Sequence, residues 1–176
     1  MRFVPLPVAG AVVVEADRIE DERGFFARTF CRDEFAAGGL DADLVQCSIS
    51  FNERAGTLRG IHYQRAPHEE AKLVRCTMGA IRDVVVDLRQ ESPTFRRWAA
   101  VDLTAANRSA VYIPKGVGHG FLTLADASEV LYHMSVVFHP ASAAGVRWDD
   151  PAFAIDWRAP VRVISERDRN FPDFGA

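Results

Sequence analysis

Apolar and polar residues alternate along most of this chain with the period of a β-strand. Residues 58–64 (Leu-Arg-Gly-Ile-His-Tyr-Gln) and 72–76 (Lys-Leu-Val-Arg-Cys) both mix the two kinds at a spacing of two, which predicts half-buried strands. The same reading predicts strands over 11–16, 25–30, 44–51, 80–88, 98–103, 109–113, 120–124 and 129–138, separated by Gly, Pro, Asn or Asp. One short helix is expected over 33–39, where an acidic first turn leads to a glycine stop. Asp21-Glu22-Arg23-Gly24 reads as a turn. Many strands and almost no helix predict an all-β sandwich or barrel, and nothing alternates with the strands as a doubly wound sheet requires. The segment from Trp148 to Asp168 is irregular, carries two tryptophans, and is expected to pack back on the body.

Alternation also decides what can face what. On a flat strand His62 and Gln64 point one way, and Ile61 and Tyr63 the other. Arg59 is an odd number of residues from His62, so the two share a cavity only if the strand kinks. Gly60 stands between them, where a bulge costs little, and a bulge is expected there. Lys72 is placed on the neighbouring strand. A second informative stretch, Ile113-Pro114-Lys115-Gly116-Val117-Gly118-His119-Gly120-Phe121, is a Pro/Gly turn that delivers His119 onto a strand, sharing a face with Phe121 and Thr123. Pro-x-Gly-x-x-His is similar to the second half of the cupin metal motif. The first half needs His-x-His and a following glutamate, but this chain has His62-Tyr63-Gln64 with Glu69 and Glu70 downstream, so no bound metal is expected.

Composition narrows the class. At 176 residues and 48% apolar content the chain supports one substantial core, so a single domain over 1–176 is expected. A formal charge of -3 and scattered arginines give no footprint for nucleic acid, and any bound anion should be small. The apolar run 8–14 is broken by Gly10 and flanked by Pro5, Pro7, Glu15 and Asp17, so it reads as neither a signal peptide nor a membrane span. Cys31, Cys47 and Cys76 have no metal or redox spacing, which points to reduced thiols in the cytoplasm.

Several blocks, in order over nearly the whole chain, resemble the dTDP-4-dehydrorhamnose 3,5-epimerase family. They are Arg23-Gly24-Phe25-Phe26, Gly56 to Gln64, Lys72-Leu73-Val74, Asp83 to Arg89, Ser92-Pro93-Thr94-Phe95, Pro114 to Phe121, and Ser165-Glu166-Arg167-Asp168. The resemblance implies a cupin jelly-roll with a few short peripheral helices and a homodimer with shared N-terminal strands. It also implies no metal or other cofactor, and a nucleotide-linked 4-keto-6-deoxyhexose as substrate.

A ketone acidifies the hydrogens on both adjacent ring carbons, so epimerisation needs a base, a proton donor on the other face and a cation at the oxygen. His62 suits the base, since imidazole takes and returns protons near neutral pH, and Lys72 suits the enolate oxygen. The resemblance implies Asp168 as the carboxylate behind His62 and Tyr132 as the proton donor. It implies Arg23 and Arg59 at the diphosphate, and Phe26, Gln46, Ser48, His119 and Arg167 around the nucleotide and its linkage. The chain departs from the family pattern at Arg28 and Ala143, where glutamate is common, and at Ser48, where asparagine is common. Taken singly, His62 fits an interior polar group, Lys72 an edge-blunting charge and Tyr132 ordinary core. Jointly they fit an active site. Reaction at one carbon only, a keto-group shift on a related sugar, and a binding module without turnover are the alternatives. The nucleotide base and the deoxysugar pathway stay open.

Overall fold

The computed structural model describes residues 1–175 and holds fourteen strands. The first half of the chain forms β1 (Arg2–Pro5), β2 (Val12–Glu15), β3 (Arg18–Asp21), β4 (Gly24–Ala27), helix α1 (Arg32–Ala37), β5 (Gln46–Asn52), β6 (Thr57–Gln64), β7 (Lys72–Met78) and β8 (Ala80–Asp87). The second half forms β9 (Trp98–Thr104), β10 (Ala110–Ile113), β11 (Val117–Thr123), β12 (Ser128–Met134), β13 (Ala143–Gly145), β14 (Val163–Ile164) and helix α2 (Glu166–Arg169).

Two antiparallel sheets carry the fold. One runs β1-β2-β10-β7-β12-β5, and the other runs β13-β6-β11-β8-β9 with β14 lying parallel to β6. β3 and β4 form a separate hairpin. The inward positions of each strand, two residues apart, meet between the sheets. Val74, Cys76, Val111 and Val130 from the first sheet pack with Ile81, Val85, Leu103 and Phe121 from the second. Each such burial is worth about 1.5–3 kcal/mol, and together they set the register, because a one-residue slip would turn the whole set outward. The result is a jelly-roll barrel: the alternating strands predict a sandwich or barrel, and the resemblance implies the jelly-roll.

Both outer faces are partly covered. Phe35 of α1 packs on Val12, Val14, Leu73 and Tyr112. Behind the other sheet, Phe153 and Trp157 are buried against Leu58, Ile61, Val84, Val86 and Leu122, and Trp157 Nε1 donates to the Trp148 carbonyl at 3.0 Å. The C-terminal segment thus packs back as expected.

Three differences from the sequence reading matter for the site. Lys72 is not on a strand adjacent to His62: β6 and β7 belong to opposite sheets. The loop 65–71 crosses the barrel mouth instead of making a hairpin, so the two side chains face each other across the interior. The stretch expected to be irregular contains α2, started by Ser165, whose Oγ accepts the Asp168 N–H at 3.1 Å. And β12 ends at Met134, four residues short of the expected strand.

Candidate active site

The kink expected at Gly60 is present. Between the pairs His119↔His62 and Phe121↔Arg59, β6 has two residues where β11 has one, Gly120. Gly60 adopts φ +141, and a Cβ there would sit 2.5 Å from the Gly120 Cα, so only glycine fits. The extra residue returns Arg59 to the side of the strand that His62 occupies. Both then line one cleft with Ser50, Lys72, His119, Phe121 and Tyr132.

A contiguous cavity of about 310 Å³ is bounded by His62, Gln64, Glu70, Lys72, Gln46, Ser48, Tyr132, Met134, Phe138, Ala143 and Arg167, among others. Its two walls come from the two sheets. His62 stands on β6, while Lys72, Tyr132, Gln46 and Ser48 project from β7, β12 and β5. The pairs Lys72↔Met134, Tyr132↔Val74 and Tyr132↔Ser48 keep these side chains on the same inward face.

His62 Nε2 lies 2.8 Å from Asp168 Oδ1, and the second Asp168 oxygen accepts the Gly60 N–H at 3.1 Å. Asp168 is 4% exposed. Burial works to raise its carboxyl pKa, but the hydrogen bond and charge of His62, with Gly60 and Ser165, outweigh it and leave Asp168 below the ordinary carboxylate range. A carboxylate can only accept, so Nε2 carries the proton and Nδ1 is left as the basic nitrogen.

Opposite, Tyr132 is half-buried beneath the edge of the His119 ring, at 6.1 Å between centroids. Burial, and then the Asp83 carboxylate, push its phenol well above the ordinary tyrosine value, so it holds its proton. His119 Nε2 is 2.7 Å from Asp83 Oδ2, with both side chains buried. The Lys72 ammonium pairs with Glu70 at 3.1 Å, where the two side chains are 12% and 9% exposed. Arg59 Nε donates to Asn52 Oδ1 at 2.8 Å, and Arg167 lies over the Phe171 ring at 5.6 Å. Among the described residues neither arginine has a carboxylate within ion-pair distance, so both guanidinium charges are left for an anion. No group of three His, Cys, Asp or Glu side chains is gathered to hold a metal among the described residues.

The family model described as dTDP-4-dehydrorhamnose 3,5-epimerase matches residues 5–175. The chain belongs to that family. The dTDP-4-dehydrorhamnose 3,5-epimerase of Methanothermobacter thermautotrophicus is 42% identical over 173 residues, covering 97% of this chain and 92% of the relative. The dTDP-4-dehydrorhamnose 3-epimerase of Streptomyces niveus is 39% identical, covering 97% of this chain and 82% of the relative. The crystal structure of dTDP-4-dehydrorhamnose 3,5-epimerase from Elizabethkingia anophelis superposes with a TM-score of 0.96 at 36% identity, covering 99% of this chain and 96% of that one.

Nine of the eleven residues singled out by the dTDP-4-dehydrorhamnose 3,5-epimerase pattern gather here: His62, Lys72, Tyr132, Asp168, Arg59, Gln46, Ser48, His119 and Arg167. His119 is buried beside Tyr132. Arg23 and Phe26 do not join them within one chain. They lie on the β3–β4 hairpin, where Phe26 is 72% exposed and Arg23, among the described residues, bonds only Asp21. Arg28 pairs with Glu34 at 2.9 Å and is likewise absent from the cavity lining. Glu70 is a cavity residue that the sequence reading weighed only as a metal carboxylate. Its place two residues before Lys72, on the same side of an extended segment, was the available signal.

Proposed function

We propose that this protein epimerises a dTDP-linked 4-keto-6-deoxyhexose, converting dTDP-4-dehydro-6-deoxy-D-glucose to dTDP-4-dehydro-L-rhamnose by inversion at carbons 3 and 5. The observation that carries the reading is the His62–Asp168 pair facing Tyr132 across a cavity that also holds Lys72. His62 Nδ1 takes the proton from the carbon next to the ketone, and the electron pair moves onto the ketone oxygen. Lys72 holds that oxygen as the enolate forms. Tyr132, from the other wall, gives its hydroxyl proton to the opposite face of the same carbon and regains one from solvent, and His62 releases to solvent the proton it took. The Asp168 carboxylate steadies the imidazolium meanwhile. On general magnitudes the acid–base steps contribute about 10²–10⁴-fold and the oxyanion partner about 10²–10³-fold. All of these groups are side chains of the chain itself, so the reaction is assigned no metal or other cofactor.

Arg59 and Arg167, unpaired at the rim, take the diphosphate, and Gln46 and Ser48 the adjoining linkage. Arg23 and Phe26 join the site from a second copy. In support, the hairpin shows Ile19, Phe25 and Phe26 at 69%, 43% and 72% exposure, and the edge strand β5 shows Ile49 and Phe51 at 64% and 50%. A homodimer would cover them. We assign the protein to the cytoplasm on its reduced cysteines; no described helix is long and apolar enough to cross a membrane.

Incubation with dTDP-4-keto-6-deoxyglucose in deuterated solvent tests the reading. Label at carbons 3 and 5 is expected, and absence of label at both would overturn it. Label at carbon 3 alone would favour the narrower activity named for the Streptomyces niveus relative.

A further inference from the structure

We propose that Glu70 is a positioning residue for Lys72, holding the ammonium where the enolate oxygen develops. This rests on the epimerase reading above. Lysine carries a compact charge on a flexible four-carbon stem, and one that reaches into a half-closed cavity loses hydration and wanders unless something fixes it. Glu70 Oε1 is 3.1 Å from Lys72 Nζ, and both side chains are nearly buried. The carboxylate is itself fixed: Oε2 accepts from Gln64 Nε2 at 3.1 Å.

Gln64 in turn is 3% exposed and held by further hydrogen bonds. Its amide also donates to the His68 carbonyl at 3.0 Å, and its oxygen accepts the His139 N–H at 2.6 Å. The His68 and His139 rings stack at 3.8 Å, closing the loops on either side. A chain of contacts thus runs from the barrel mouth through Gln64 and Glu70 to one nitrogen. An ammonium has three protons, so the pair with Glu70 leaves donors for a ligand. A charge already in place needs no reorganisation when the oxyanion forms, which is where such a contact accelerates the reaction.

Steady-state kinetics on dTDP-4-keto-6-deoxyglucose with Glu70→Gln, Lys72→Met and the double variant test this. Glu70→Gln keeps the shape and a partner for Gln64. It is expected to lower kcat about tenfold or more with KM changed less than about threefold, as for a contact that acts in the transition state. In the Lys72→Met background the same change is expected to alter kcat less than about twofold, because the group it positions is gone. A wild-type kcat in Glu70→Gln, or a further tenfold loss on adding it to Lys72→Met, would overturn the proposal. The second comparison stands even where Glu70→Gln alone folds poorly. Wild-type protein inert toward the sugar would instead overturn the functional reading on which the proposal rests.

Discussion

His62 and Tyr132 divide one reaction between two walls, and their variants should fail differently. His62→Ala is expected to lose deuterium incorporation at both ring carbons, by about 10²–10⁴-fold, because His62 is the base assigned to both. Tyr132→Phe should still release the substrate proton, so label washes in, while the inverted product fails to accumulate. Mass and proton spectra of the recovered sugar distinguish the two, and equal loss in both variants would contradict the division. Asp168→Asn keeps the shape but presents an amide that can donate toward Nε2, so the wrong imidazole nitrogen is protonated; a drop in kcat of similar size is expected. Legibility at this scale was uneven. His62 and Lys72 could be chosen from the chemistry of residue types near one glycine-bounded stretch. Asp168, 106 residues away from His62, came only with the family likeness, since no local pattern links them. Glu70 was weighed only as a metal carboxylate and set aside, so its contact with Lys72, two residues on, went unread.

At the scale of single elements, β6 depends on its bulge. Gly60→Ala places a methyl group against β11 in a backbone region that disfavours side chains, so a loss of about 3 kcal/mol in stability is expected, with His62 displaced. Chemical denaturation and the exchange assay would show both. This bulge was readable beforehand from parity: Arg59 and His62 needed one face, and glycine stood between them. The crossing of loop 65–71 was not readable, because seven residues between two alternating runs suit a hairpin as well as a crossover. β1 (Arg-Phe-Val-Pro) and β3 (Arg-Ile-Glu-Asp) carry no alternating run, β13 and β14 are too short for one, and α2 owes its single turn to Ser165 and to packing.

The end of β8 offers a second test. Asp87 is fully buried and accepts from Arg89 Nε at 2.8 Å, Ser92 Oγ at 2.5 Å and Thr94 Oγ1 at 2.6 Å, while Arg89 also reaches the Ala9 carbonyl. Burial pushes the carboxyl up, but these donors prevail and bring it down to about 2. A depressed carboxyl stabilises the fold above its unfolded value near 3.8, and that stability drains away as pH falls toward about 2. Asp87→Asn is therefore expected to be less stable at neutral pH by about 2 kcal/mol and to lose much of the wild-type dependence on acid between pH 4 and 2, as read from denaturation midpoints.

For the whole molecule, an all-β sandwich or barrel followed from strand density, the jelly-roll came only with the family likeness, and assembly is not written in alternation. The exposed hairpin bearing Arg23 and Phe26 carries the expectation that two copies build each site. Equal mixing of Arg23→Ala and His62→Ala proteins, each nearly inactive, should restore about a quarter of the wild-type sites if the arginine crosses to the partner, since random exchange pairs half the chains as hybrids with one sound site each. Activity that stays at the level of the parents, with a dimer present by sedimentation, would assign Arg23 no role in trans.

Asp168 reaches His62 from beyond both sheets, and this has a bearing on synthesis. A ribosome making this chain completes β13 by residue 145, when the barrel has its walls and its imidazole but lacks the acid behind it. The same late segment brings Phe153 and Trp157 to the outer face of β6, β8 and β11, so the nascent protein gains that cover shortly before its acid. A chain ending at Ser165 would keep the Phe153 and Trp157 cover yet lack the carboxylate, and its turnover should fall as in Asp168→Asn.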